Sequence, residues 1–458
     1  MRSQWRALCA LLALALVALA AGCGGSSGSS SSGGGGTAAP SEDKTPVTLT
    51  LWHPWTGDEK KIFEAQLKTF EAQYPWITVK AVGYPDSDTF DDQVIKAIKG
   101  GNGPDAVLSF GPDYDGQYCS SGLMQELSSY MDQDGVSIDQ FAPAAITYTQ
   151  FDDKQCMLPS LTDSFGLYYN KDMFAKAGIT SPPKTMTELM DDAKKLTVKN
   201  SDGTIKVAGF VPLQDFEQLG IYDLARMWGA KFFDDNGDPV LSSDPAWASA
   251  LQWQKQMIDY YGYDNIIKFN AAYGGDNEFS ASNAFESGKV AMTIDGEFRT
   301  AFLADEHPEL EYGTAPMPVD DANPSLYGAG YVTGNIAGIP KGAKHPEQAW
   351  ALLKYLATDP KAESVLSNEL KNVPTTTASL KATELRPTPE FKPFLAIFAH
   401  PKTATNPINA GGAANQELFE QMLTKYQAGK VPDLHAALQK VDEQIDAQVE
   451  NASGPQVP

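Results

Sequence analysis

Apolar and polar positions along this chain recur with two periods, and the switches between them lay out the first elements. Val47-Thr-Leu-Thr-Leu51 alternates with period two, which predicts a strand. Ile62, Phe63, Leu67 and Phe70 then recur three and four apart, predicting an amphipathic helix from Asp58 to about Gln73. Thr56 and Glu59 stand at capping-box spacing before it, and Pro75 ends it. Ile77-Thr-Val-Lys-Ala-Val82 is the next strand, completing a βαβ unit. Its Trp52-to-Gly57 loop falls at the carboxyl end of the first strand, where open α/β sheets bind ligands. The grammar returns later: a helix starts in Pro183-Lys-Thr-Met-Thr-Glu188 and runs to about Leu196, and another spans Pro346 to Ala357. Leu434, Leu438, Val441, Ile445 and Val449 form a stripe that reads as core packing. Strands alternating with helices predict an α/β class with largely parallel sheets.

The first residues follow a different rule. Arg2 and Arg6 precede an apolar run from Ala7 to Ala21, too short to span a membrane comfortably and typical of a secretory leader. Leu19-Ala-Ala-Gly-Cys23 resembles a bacterial lipobox, whose cysteine becomes lipidated and N-terminal. Gly24 to Gly36 is only glycine and serine, a flexible coil. The expected plan is a lipoprotein signal peptide over 1–22, a tether over 23–45 and a folded body anchored outside the cell membrane by Cys23.

Beyond the tether the body is too long for one ordinary core, which predicts two lobes. The formal charge of −23 repels nucleic acid, so that class of partner is excluded. Of the four cysteines, Cys9 falls in the leader and Cys23 takes the lipid, which leaves Cys119 and Cys156 to form one disulfide or to remain two buried thiols.

The segment Leu167 to Leu196, LYYNKDMFAKAGITSPPKTMTELMDDAKKL, resembles the signature of extracellular solute-binding proteins that feed carbohydrate ABC importers, the maltose-binding-like group. Four further stretches resemble the same family in the same order: Phe70–Val82, Gly103–Gly116, Phe285–Phe298 and Gly338–Leu356. The resemblance implies two α/β lobes, a periplasmic-binding-protein-like fold with a hinge and an interlobe ligand cleft. It places 46–161 and 332–371 in the N-terminal lobe and 162–331 and 372–458 in the C-terminal lobe. Pro159 to Tyr169 would make the first crossing, Gly328 to Val332 the second and Asn372 to Thr375 the third. It also implies a carbohydrate ligand, ABC permease subunits as partners, a monomer, no catalysis and no cofactor or metal.

A sugar cleft needs rings for the C–H faces and carboxylates or amides for the hydroxyls. Carried over by resemblance, the ligand-binding positions are Trp55 and Thr56 in the first-strand loop, Phe110 and Asp113 after the PDAVL strand, and Asp163 in the crossing. Gln214, Asp215 and Glu217 follow in VPLQDFEQ, and Glu297 and Phe298 in the run Gly296-Glu297-Phe298, where the family often has glycine, proline and a stacking tryptophan. Trp52 reads as core, continuing the alternation of Leu49 and Leu51, whereas Trp55 after Pro54 in a polar loop reads as a ligand ring. Trp247, Trp253, Trp350, Tyr168 and Tyr169 read as packing.

Rival chemistries lack parts. Asp234, Asn236 and Asp238 open like a calcium loop, but Pro239 replaces its glycine and no glutamate closes it, so DDNGD reads as a hairpin turn. No H-E-x-x-H occurs, and the only G-x-S-x-G-like run lies in the tether. The alternative function is a cell-surface glycoside hydrolase with two cleft carboxylates such as Asp163 and Asp215.

Overall fold

A computed structural model describes residues 44–84, 89–280 and 282–452. The leader, Cys23 and nearly all of the tether lie outside the described residues. Ten strands form one continuous pairing network: β1 Val47–His53, β2 Ile77–Gly83, β3 Ala106–Ser109, β4 Met157–Asn170, β5 Val198–Lys199, β6 Ile205–Phe210, β7 Val290–Gly296, β8 Tyr312–Ala315, β9 Val332–Gly338 and β10 Val373–Pro374. Their order is β2-β1-β3-β9-β4-β7-β6-β5, with β8 and β10 also paired to β4.

Strand β4 joins the two halves. Met157–Ser164 pairs with β9, Leu161 and Thr162 pair with β10, and Phe165–Asn170 pairs with β7 and β8. The expected parallel arrangement holds for β2-β1-β3 and for β6-β7, but every pairing of β4 is antiparallel, as is β3 with β9.

Packing on both faces explains the near-continuous apolar strands. Leu49, Leu51, Ala106 and Leu108 join a cluster with Phe63, Leu67, Phe70, Trp350 and Leu353, while Val107, one residue out of phase, packs with Val94, Tyr118 and Met157 on the opposite face. The other half has its own core around Leu167, Phe210, Trp247 and Ile294, against which Leu438, Val441 and Ile445 of the helix Leu434–Ala452 close.

Several local expectations meet their detail here. The first helix is Gly57–Gln73 with Thr56 at its N-cap, but the Thr56 side chain makes no capping bond, so the capping box expected there does not form. At Met186–Leu196 it does: the Glu188 N–H donates to Thr185 Oγ1 at 3.2 Å and Glu188 accepts from the Thr185 N–H. Trp52 packs against the core as expected but on the other face: it sits one residue out of phase with Leu49 and Leu51, is half-buried with the cluster of Val94, Val107 and Tyr118, and meets Tyr84 at 4.9 Å, while His53 continues the inward face. The DDNGD run is a turn: the Asn236 and Asp238 N–H groups donate to Asp234 Oδ1 at 2.8 and 3.0 Å. Cys119 and Cys156 form a disulfide with Cα atoms 5.6 Å apart, fastening the helix Asp115–Ser120 to the residue before β4. Among the described residues no helix is long and apolar enough to cross a membrane, and no group of His, Cys, Asp and Glu is placed to hold a metal ion.

Candidate ligand-binding cleft

The loop after β1 carries Trp55, and the structure turns this indole inward. It is 2% exposed, its ring centre lies 4.4 Å from that of Phe63, and it meets Phe110 edge-on at 5.7 Å. The ring expected to meet a ligand at Trp55 is supported by Phe63 of the following helix. Phe110, just after β3, is the ring that remains accessible, at 36% exposure, with Trp55 as its base. Thr56 is exposed at the start of the helix.

Asp113 lies in the short turn after Phe110 and is buried. Its Oδ1 accepts from the Tyr222 hydroxyl at 3.0 Å and its Oδ2 from the Asn406 amide at 2.7 Å. Tyr222 belongs to the helix Ile221–Trp228, so this carboxylate clasps the two halves together. Burial pushes its pKa up to about 6, against the lowering effect of the two hydrogen bonds.

At the crossing, the Asn372 amide donates to Asp163 Oδ1 and, at 3.4 Å, to Glu297 Oε1. The other oxygen of Glu297 accepts from the Ser164 N–H. Burial raises the pKa of both carboxyls, and each is raised further by a neighbouring acid: Glu59 for Asp163, Asp163 for Glu297. Glu59 itself is pushed up to about 7 by burial. Glu297, expected to touch ligand, has no exposed surface and braces β4 against the turn after β7 instead. Asp163 is half-buried.

The loop Gln214–Gln218 uses two non-glycine residues in the left-handed region, Asp215 at φ 57° and Glu217 at φ 51°. The result splits the expected trio. Asp215 is exposed and Gln214 donates to its Oδ1 at 2.6 Å and to Glu420 Oε1 at 3.3 Å. Glu217 points inward, accepting from the Asn283 amide and, at 3.2 Å, from the Ala284 N–H, which fastens the loop.

Arg299 completes that interior. It is fully buried, its Nε 2.7 Å from Asp295, its Nη1 3.1 Å from Glu286 and its Nη2 3.9 Å from Glu217. Burial would lower its pKa, but Asp295 and Glu217 hold the guanidinium charged. Phe298, one residue earlier, is half-buried and lies across Gly296, where an added Cβ would sit 2.2 Å from the ring. That close approach explains the glycine in Gly-Glu-Phe.

Rings connect these features. From the clasp, Tyr222 stacks on Tyr331 at 5.5 Å, Tyr331 meets Phe165 at 5.1 Å, Phe165 meets Phe298 edge-on at 6.5 Å, and Phe298 meets Phe279 at 6.2 Å. Sequence reasoning missed Tyr222, Tyr331, Phe279 and Asn406. Only Phe279 carried a signal, an isolated ring in the polar run Asp276-Asn-Glu-Phe-Ser280, which is the cue that singled out Trp55.

The family model for bacterial extracellular solute-binding proteins matches residues 54–363, more than half of the chain. This chain belongs to that family. A binding protein of Brucella abortus is 29% identical over 300 residues, covering 64% of this chain and 68% of the relative. A maltooligosaccharide ABC transporter solute-binding lipoprotein of Streptococcus pneumoniae is 27% identical over 314 residues, 66% of this chain and 65% of that one. Among solved structures, CpMnBP1 with mannotriose bound superposes with a TM-score of 0.78 at 29% identity, covering 87% of this chain and 99% of that chain. The solute-binding protein therefore has the two-lobed α/β architecture, with β4 pairing in both halves.

Proposed function

We propose that this solute-binding protein captures a neutral sugar or oligosaccharide in its interlobe cleft and delivers it to the permease subunits of an ABC importer. The observation that carries the reading is the chemistry of the candidate lining: rings at Phe110 and Phe298 that keep part of their surface in water, carboxylate acceptors at Asp163 and Asp215, and an Arg299 that is buried and held by Asp295 and Glu286. An anion would need converging cations or helix-end amides, and the carboxylates Asp163 and Asp215 would repel it. A hydroxylated ligand gives those carboxylates hydrogen-bond donors and gives the rings C–H faces. The relatives' maltooligosaccharide and mannotriose fall in the same chemical class.

Ligand contacts proposed on this reading are Thr56, Phe110, Asp163, Gln214, Asp215 and Phe298, with Asp113 released from its clasp as a solute takes over its hydrogen bonds. The lobes divide at 161/162, 331/332 and 371/372, where β4, the entry to β9 and the approach to β10 cross. The protein acts as a monomer held outside the cell membrane by lipid on Cys23, and Cys23→Ser releases it from membranes. On this reading it is not an enzyme: Asp163 is held with Glu297 through Asn372, and Asp215 accepts from the Gln214 amide.

Thermal-shift measurements with neutral saccharides test the reading. A ligand at 100 times its dissociation constant stabilises by about 2.7 kcal/mol, which lifts Tm by a few degrees. A shift with phosphorylated, amino-acid or polyamine ligands and none with saccharides refutes it.

A further inference from the structure

We infer that Phe279 is a second stacking surface of the cleft, one that extends the platform of Phe298 and makes the protein discriminate by the number of sugar units; the inference rests on the saccharide reading above. Phe279 is 56% exposed, more than any other large apolar side chain among the described residues. An aromatic ring left in water on a loosely held loop is a liability, and this loop is not loosely held. The Glu278 carbonyl, immediately before the ring, accepts from Arg299 Nη1 at 2.9 Å and from the Asn283 amide at 2.9 Å. The Glu278 side chain accepts from the Gln218 amide. Asn283 is itself completely buried, as is Arg299.

The ring is propped as well as its backbone. The Arg299 guanidinium lies 5.5 Å from its centre, and Phe302 and Phe298 stand at 6.0 and 6.2 Å. These contacts fix the ring yet leave more than half of its surface to solvent, the arrangement of a pre-organised anchor whose ordering cost is met before a ligand arrives. Phe279 and Phe298 are tilted by 38°. Successive units of an oligosaccharide are rotated about their glycosidic bonds, so two tilted rings suit neighbouring units better than one flat sheet would. Placement favours a sugar over a protein partner, because Phe279 ends the ring series that runs back through Phe298, Phe165 and Tyr331 to the interlobe clasp.

Isothermal titration calorimetry of the full folded body, with mannose, mannobiose and mannotriose and with glucose, maltose and maltotriose, tests this in the native protein and in Phe279→Ala, Phe279→Leu and Phe279→Trp. For whichever series binds, the Ala and Leu variants are expected to lose about fivefold to tenfold in trisaccharide affinity, the worth of one stacking contact, and less than about twofold for the monosaccharide. The Trp variant restores trisaccharide binding. Because the side chain is exposed, circular dichroism and Tm should stay at native values in all three. Equal losses for mono- and trisaccharide, or no loss for either, overturn the inference while leaving the saccharide reading intact. If the native protein binds no neutral saccharide, both fall together. Unchanged trisaccharide binding combined with lost uptake in cells reassigns Phe279 to a protein contact and also overturns it.

Discussion

Around Arg299, the carboxylates of Asp295, Glu286 and Glu217 close on one guanidinium; around Asn372, those of Asp163 and Glu297 close on one amide. Both clusters remove acids from water, and burial raises the pKa of every one of these acids. They differ in what compensates. The guanidinium is a permanent charge that donates to several acceptors at once, whereas the amide is neutral and leaves the acids to be quieted by protons. The first arrangement ties the backbone before Phe279 to the helix that starts just after Phe298. The second holds the crossing of β4, and its cohesion follows pH.

The largest expected effect comes from removing the permanent charge. Arg299→Met strands buried carboxylates and should cost about 3–5 kcal/mol in denaturant-measured stability. The matching change in the other cluster, Glu297→Gln, substitutes a neutral group for an acid whose charged form burial disfavours, and should cost less than about 1 kcal/mol at pH 7. Equal losses in the two variants would erase the distinction.

Next is the pH profile. Acids whose folded pKa is raised bind more protons folded than unfolded, so stability is full below the unfolded value and is lost as pH rises through the folded one. Asp113 moves from 3.8 to about 6, Glu59 from 4.5 to about 7 and Glu217 from 4.5 to about 8. Thermal stability should therefore fall between about pH 5 and pH 8. Glu59→Gln should flatten part of that decline, as read from Tm across a buffer series; a profile that rises over this range contradicts the assignment.

Gly296→Ala should cost about 1–3 kcal/mol by driving a Cβ into the Phe298 ring, and should weaken saccharide binding by moving it. Smallest in stability is Phe110→Ala, expected within about 0.5 kcal/mol of native because the ring is partly in water, yet with a clear loss of ligand affinity in calorimetry.

The two clusters also mark where sequence reading stops. Elements set by period were legible: the strand at Val47, the helix ending at Gln73 and the stripe from Leu434 all stand where hydrophobic spacing puts them. Identical local signals diverged when tertiary neighbours intervened. Thr185 and Glu188 form a capping box and Thr56 and Glu59, at the same spacing, do not. The lone-ring cue at Trp55 could not show its support from Phe63, and it went unused at Phe279, whose backbone is held by Arg299 and Asn283. Carboxylates were chosen by type, but whether Glu217 faces a ligand or an arginine depends on a left-handed backbone that no local pattern announces.

One strand belongs to both lobes. Because β4 contributes Met157–Ser164 to one half and Phe165–Asn170 to the other, neither half can melt without stripping a strand from its neighbour. The two lobes are thus coupled in unfolding even where they move apart in function. Calorimetry should show a single cooperative transition, and limited proteolysis should release no stable lobe, since any fragment carrying only part of β4 would expose an open sheet edge where a partner strand had been.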